Sequence, residues 1–483
     1  MSKISELQPN LVWKYFDEIT QIPRPSKKEE KIIEYLLNFA KEHNLDAEKD
    51  AAGNVVIRKP ATAGMENATP VILQSHSDMV CEKNSDVEFN FDTDPIQTYI
   101  DGDWVKAKGT TLGGDDGIGV AAALAILASD NIKHPDIECL FTSDEETGMT
   151  GAFGLQPGFL KGKILINLDS EDEGELYIGC AGGMDTNIEI EYQKEEIPKS
   201  WYSCKITING LKGGHSGDDI DKGLGNANKI LNRFLWRLAE KTKFKLTEFD
   251  GGNLRNAIAR EAYAIISVPQ HDKEQIRLLL NIYTNEIQNE YAQTEPNLNL
   301  EMTTVEHPGA AIDSKTQNTL IRALYACPHG VIAMSQTIED LVETSTNLAS
   351  VKFENNKIII GTSQRSSVDT ALTDVAAMVR SVFELAGAKV THSDGYPGWT
   401  PKLDSEILKA TKASYQRLFN KEPEVLAIHA GLECGLFLTK YPQLDMISFG
   451  PTIKGAHSPD ERMHIPSVQK FWDLLVDVLA NIK

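Results

Sequence analysis

Helical periodicity is clearest where Ile32, Ile33, Leu36, Leu37 and Ala40 return on one face, which predicts an amphipathic helix. Ser26 and Glu29 precede it with the spacing of a capping box, and this predicts where the helix starts. Beyond it, short apolar runs alternate with helical periods. Strands are predicted at 54–58, around Val71-Ile72-Leu73, at 137–142 and at 164–168, with a helix over 117–129. A run that is apolar at every position suits a strand buried on both faces. This part therefore predicts an α/β fold, a mostly parallel sheet with helices on both faces.

After Gly182-Gly183 the period changes. Residues 202–208 alternate as a half-exposed strand does, 226–238 form a periodic helix, and a strand at 261–268 leads into a helix at 273–291. A second set follows, with helices at 315–325 and 368–385 and a hairpin around Glu354-Asn355-Asn356-Lys357. This pattern predicts two successive α+β units of split βαβ type. Past Gly395-Tyr396-Pro397-Gly398-Trp399 the α/β character returns, with helices at 405–419 and 468–482 and short strands near 425–428 and 446–449. The expected organisation is a catalytic domain in two pieces, 1–185 and 397–483, interrupted by an α+β lid and dimerisation domain over 186–396.

Composition narrows the function classes. The chain has 483 residues, 41% hydrophobic and 24% charged, which excludes disordered and collagen-like classes. Its 48 basic and 70 acidic side chains give a net charge of −22, against a nucleic-acid partner, which needs clustered Lys and Arg. The longest apolar stretch, 118–128, is shorter than the ~20 residues that cross a bilayer. Cys81, Cys139, Cys180, Cys204, Cys327 and Cys434 form no CxxC pair, as expected of buried thiols in a reducing compartment. With no apolar leader at the amino terminus, a cytoplasmic protein is expected.

The chemistry gathers where apolar runs end. His76-Ser77-Asp78 follows one run, Asp115-Asp116 precedes a helix, Glu145-Glu146 and Asp169-Ser170-Glu171 follow two more runs, and His457 lies near the carboxyl terminus. In an open α/β sheet the crevice beyond the strand ends is the ligand site. His and carboxylate side chains crowded there call for a cation. Taken singly, each cluster has a plainer reading: a surface pair, a turn feeding a helix, a solvated loop.

The stretches KGTTLGGDDGIG at 108–119, CAGG at 180–183, LKGGHSG at 211–217, HAGLECGLF at 429–437 and GPTIKGAHSPDE at 450–461 carry a more specific signal. With them the chain resembles the aminoacyl-histidine (Xaa-His) dipeptidases of the co-catalytic dizinc metallopeptidase clan, over nearly its whole length. The resemblance implies two Zn2+ per chain, with Co2+ or Mn2+ as substitutes. It implies that Asp115 bridges the ions, that His76 and Asp169 complete one and Glu146 and His457 the other, and that the Asp115–Asp116 peptide is cis. It further implies that Asp78 orients His76 and that Glu145 is the general base for a metal-activated water attacking the peptide carbonyl. His215 would support the oxyanion, often from the partner subunit of a homodimer; action within one chain or across two stays open. Arg365 is a candidate for capturing the substrate's carboxylate, Asn256 matches a substrate-contacting lid position, and Glu433 is a candidate for the free amino group. The implied substrate is a small unblocked dipeptide, carnosine-like ones included. The alternative is an N-acyl amino acid deacylase using the same metals. No spacing here reads out a histidine side chain.

Overall fold

The apolar runs become the buried centre of a sheet. In the computed structural model, which describes residues 4–483, the strands Val71–His76, Ile137–Thr142 and Ile164–Asn167 are buried at every position. They lie parallel, with Val71 opposite both Ile137 and Ile164, and Asp445–Ser448 continues the parallel order beside Ile164–Asn167. The flanks of this eight-stranded sheet reverse. Val55–Lys59 pairs antiparallel with Ile137–Thr142, Asp46–Lys49 antiparallel with Val55–Lys59, and Tyr177 meets Ser448 antiparallel. The α/β sheet is thus parallel at its centre, where both faces are covered, and antiparallel at its margins.

The helix Gly114–Ala128 is buried almost all round. Its small residues Ala121, Ala122 and Ala123 are fully covered, and it packs on the helix Asn10–Thr20, which buries Trp13 and Phe16. The predicted capping box does not form. The helix Glu30–Glu42 has no side-chain cap at its start. Ser26 Oγ instead donates to Asp78 Oδ2 at 2.7 Å, and Glu29 Oε1 accepts from Lys27 N at 3.0 Å and Asp144 N at 2.9 Å. Lys27 has a positive φ of 67°, so the chain leaves the capping geometry and both polar groups serve buried tertiary partners.

Compact grouping gives one unit of Met1–Gly179, Trp399–Ala427 and Leu432–Lys483, and another of Cys180–Gly398 with Ile428–Gly431. The crossings fall at 179/180 and 398/399, against the expected 185/186 and 396/397, and residues 428–431 return to the second unit. In the second unit the two expected α+β sets share one nine-stranded sheet. Its strands pair antiparallel, and the sets join where Gly251 meets Val351. Helices Ala227–Ala239, Lys273–Glu290, Ser314–Ala326 and Asp369–Leu385 enclose one core that includes Ile206, Phe234, Phe249, Tyr283, Leu320 and Phe383. The predicted hairpin is present, with Asn355 and Asn356 at φ 50° and 62° between paired strands, as a tight two-residue turn requires.

All six cysteines are free. Among the described residues no helix is long and apolar enough to cross a membrane.

The turn after Ile137–Thr142 is tightly packed, since a Cβ on Gly151 would lie 2.4 Å from Asn54 Oδ1 and 2.5 Å from Ser143 O. Gly151→Ala is expected to lower unfolding free energy by about 1–3 kcal/mol, read from the urea midpoint at unchanged slope.

Candidate metal centre

All but one of the candidate metal ligands sit where a parallel strand stops or a helix starts. His76 is the last residue of its strand, Glu145 and Glu146 follow Ile137–Thr142, and Asp169 follows Ile164–Asn167. Asp115 lies at the head of Gly114–Ala128, where it and Asp116 leave helical geometry and share a cis peptide bond. His457 stands on the loop between Ile453–Lys454 and Arg462–His464, with φ 62°.

These residues converge. Asp115 Oδ1 is 2.9 Å from His76 Nε2 and Asp115 Oδ2 is 3.1 Å from His457 Nε2. His76 Nε2 lies 3.5 Å from Asp169 Oδ1, and His457 Nε2 lies 3.0 Å from Glu146 Oε2. One carboxylate thus faces two imidazoles, one through each oxygen. The ligand atoms of His76, Asp115 and Asp169 all fall within 4.8 Å of one another, as do those of Asp115, Glu146 and His457.

Asp78 ties the centre to the backbone. Its Oδ1 lies 3.4 Å from His76 Nδ1, an electrostatic contact too poorly aligned to count as a hydrogen bond. The same carboxylate accepts from Glu145 N at 3.0 Å and Glu146 N at 3.3 Å. It therefore holds the backbone of the paired glutamates while lying against the imidazole. Glu145 itself reaches His76 and Glu146 closely enough to form a third donor group with them.

The electrostatics demand positive charge. Burial would lower His76, but Asp169, Asp115 and Asp78 more than reverse that and hold it well above its usual range. Hydrogen bonds to Asp115 and Glu146 push His457 up to about 11. Burial opposes ionisation of Asp115, yet His457 and His76 overcome it and keep the carboxyl below its ordinary range. Its neighbours go the other way. Burial, reinforced by Asp115, raises Asp169 to about 7 and Glu171 to about 8. Burial with Asp169, Glu433 and Glu146 nearby raises Glu145, and burial with Asp169 raises Asp116. Nitrogen and carboxylate donors in this arrangement, with Glu146 Oε1 buried and unpartnered, fit divalent cations.

Glu433 is buried under the same strand ends. It accepts from Gln74 Nε2 and Thr142 Oγ1, both at 2.7 Å, its Oε1 has no partner, and burial raises it to about 8. The remaining predicted residues belong to the second unit, which brings them together. Ser216 N donates to Asn256 O at 2.8 Å, and Arg365 donates toward His215 Nε2 at 3.4 Å, Ser216 Oγ at 3.3 Å and Tyr396 Oη at 3.2 Å. Asn256, Arg365 and Tyr396 line a cavity of about 210 Å³.

Sequence reasoning missed several residues that shape the centre. Arg24 is completely buried and donates to the carbonyls of Ser77, Asp78 and Gly113, yet nothing in its neighbourhood of the chain marks it. Asp116 Oδ2 accepts from His76 N at 3.3 Å. Glu171 stands in the Asp169-Ser170-Glu171 cluster and Glu461 ends the 450–461 stretch, and their proximity in sequence to Asp169 and His457 is the signal that marks them.

A family model described as peptidase family M20/M25/M40 matches residues 72–481. The chain is 49% identical over 482 residues to the Escherichia coli (strain K12) protein named cytosol non-specific dipeptidase, covering 100% of this chain and 99% of that one. The crystal structure of aminoacylhistidine dipeptidase from Vibrio alginolyticus superposes with a TM-score of 0.92 at 48% identity, covering 100% and 98% of the two chains. Aminopeptidase PepT from Bacillus cereus shares the fold at TM-score 0.57 and 14% identity, over 99% of each chain.

Cation uptake must expel the protons that His76 and His457 carry at neutral pH and the one that burial leaves on Asp169. Affinity is therefore expected to rise with pH through about 7, as Asp169 loses its proton, and on toward about 11, as His457 does. Zinc titrated into metal-stripped protein should release protons, measurable by calorimetry in buffers of different ionisation enthalpy. Proton uptake would contradict this charge distribution.

Proposed function

This chain belongs to peptidase family M20/M25/M40, a metal-dependent family, and on that premise we propose that it is a dipeptidase hydrolysing unblocked dipeptides, Xaa-His dipeptides among them, at a pair of zinc ions. It is a metallopeptidase by family, and the dipeptide substrate rests on the two similar proteins named as dipeptidases. Their printed names differ in breadth, one non-specific and one specifying histidine, so the substrate class proposed here is the unblocked dipeptide. The name of the Escherichia coli relative supports a cytosolic location. The observation that carries the reading is the shared carboxylate, with Asp115 presenting one oxygen to His76 and the other to His457.

His76, Asp115 and Asp169 would hold one ion and Asp115, Glu146 and His457 the other. Bound zinc would supply Lewis acidity, lowering the pKa of a water toward neutrality and polarising the scissile carbonyl. The chain's own residues do the rest. Asp78 keeps the His76 ring and the amides of Glu145 and Glu146 in fixed relation. Glu145, raised by burial and neighbouring carboxylates, is suited to take a proton from the attacking water and return it to the departing amine. His215 is assigned to the developing negative charge on the carbonyl oxygen, with its ring held beside Arg365 and Asp218. Arg365 and Asn256, at one cavity, are assigned to the substrate's carboxylate end, for which a guanidinium fork is the matching donor. Glu433, with one oxygen unpartnered, is assigned to the amino group.

A panel of free and N-acylated dipeptides, assayed after metal stripping and readdition of zinc, manganese or cobalt, tests the substrate class. Free dipeptides should be cleaved and blocked ones spared; preference for acylated substrates would replace this reading with a deacylase. Glu145→Gln should retain bound metal while kcat falls by about 10²–10⁴, and near-normal turnover would remove Glu145 from the proton path.

A further inference from the structure

His457 is the loosest member of the metal centre. Its side chain is 56% exposed where that of His76 is 1% exposed. It reaches Asp115 across 342 residues of sequence from a loop whose internal bonds are local, Ser458 Oγ to Gly455 O and Glu461 N to Ser458 O. Something must hold that loop against the Asp115 loop, because a ligand pair at 3.1 Å tolerates little drift.

Glu461 provides the fastening. It lies at the end of the His457 loop, 2% exposed, and its carboxylate spans the backbone that leads into Asp115. Oε2 accepts from Leu112 N at 2.7 Å and Gly113 N at 3.0 Å, and Oε1 accepts from Gly114 N at 2.7 Å and Asp115 N at 3.3 Å. Successive amides converging on one anion form a nest. This one depends on glycine. Gly113 has φ 69°, a Cβ there would lie 2.6 Å from Arg24 Nη2, and one on Gly114 would lie 3.1 Å from Glu461 Oε1. Arg24 grips the opposite side of the same loop through Gly113 O, and ties it to Ser77 O and Asp78 O beside His76. Asp115 is thus anchored twice, to the His76 side through Arg24 and to the His457 side through Glu461.

We propose that Glu461 is a positioning residue that holds His457 in register with Asp115, so that its loss weakens the cation shared by Asp115, Glu146 and His457 far more than the one shared by His76, Asp115 and Asp169. The inference rests on the ligand assignment made above. It differs from a general contribution to stability because it predicts unequal damage to two neighbouring ions.

The test is zinc content per chain of the full-length protein, equilibrated across a series of chelator-buffered free zinc concentrations. Glu461→Gln keeps the side chain's size but turns an amide NH2 toward backbone N–H donors. One zinc equivalent should weaken by about 10–100-fold, the range seen when groups supporting metal ligands are removed, while the other holds wild-type affinity. Glu461→Asp, which keeps the carboxylate one methylene short, should give the same inequality in milder form, and it decides the matter if the Gln variant does not fold. His457→Ala is the reference, expected to lose the same equivalent. Wild-type affinity at both sites in the Glu461 variants, or equal weakening of both, overturns the inference when His457→Ala loses one equivalent. Retention of both equivalents by His457→Ala would instead overturn the ligand assignment itself.

Discussion

The first unit is organised around a single carboxylate that must face two histidines at once. Asp115 presents one oxygen to His76 and the other to His457, within a crowd of buried acids that includes Asp116, Glu146 and Asp169. Like charges at this spacing, away from bulk water, repel strongly. The pattern of perturbed groups follows directly. Asp115, flanked by imidazoles, stays ionised, while burial drives Asp169 and Glu171 toward protonation. Divalent cations would supply the missing charge, in keeping with a metal-dependent family.

The surrounding architecture makes that crowding possible. Central parallel strands end together, so residues far apart in the chain emerge on one rim of the sheet. Backbone groups then finish the alignment. Asp78 accepts the amides of Glu145 and Glu146, Arg24 gathers carbonyls from two loops, and Glu461 gathers the amides that precede Asp115. Each of these three ties down backbone beside a candidate metal ligand or the candidate base Glu145.

The elements were largely legible because burial on both faces writes itself as unbroken apolar runs, and the polar clusters that interrupt those runs at strand ends announce a site. What misled was local pattern with a tertiary competitor. Ser26 and Glu29 have the spacing of a cap, but Asp78 and the amide of Asp144 offered buried partners that a helix terminus open to water could not match. Strand direction was the other blind spot. A run such as 54–58 is equally apolar whether it lies parallel or antiparallel, so the reversed margins of the sheet left no trace in composition. In the second unit, two sets of strands and helices looked separable, but the pairing of Gly251 with Val351 joins them into one sheet.

By itself the sequence determined the residue types and the ends of the buried strands, and its motif stretches at 108–119, 211–217, 429–437 and 450–461 carried the resemblance that implied the family and its metal-dependent chemistry. Only the tertiary structure decided which donors share a carboxylate, that His76 and His457 approach it from opposite oxygens, and that Arg24 and Glu461 clamp the loop between them. The reason is one of range. Periodicity and capping are set over a few residues, whereas these contacts close gaps of up to several hundred and exist only after the sheet has brought its strand ends together.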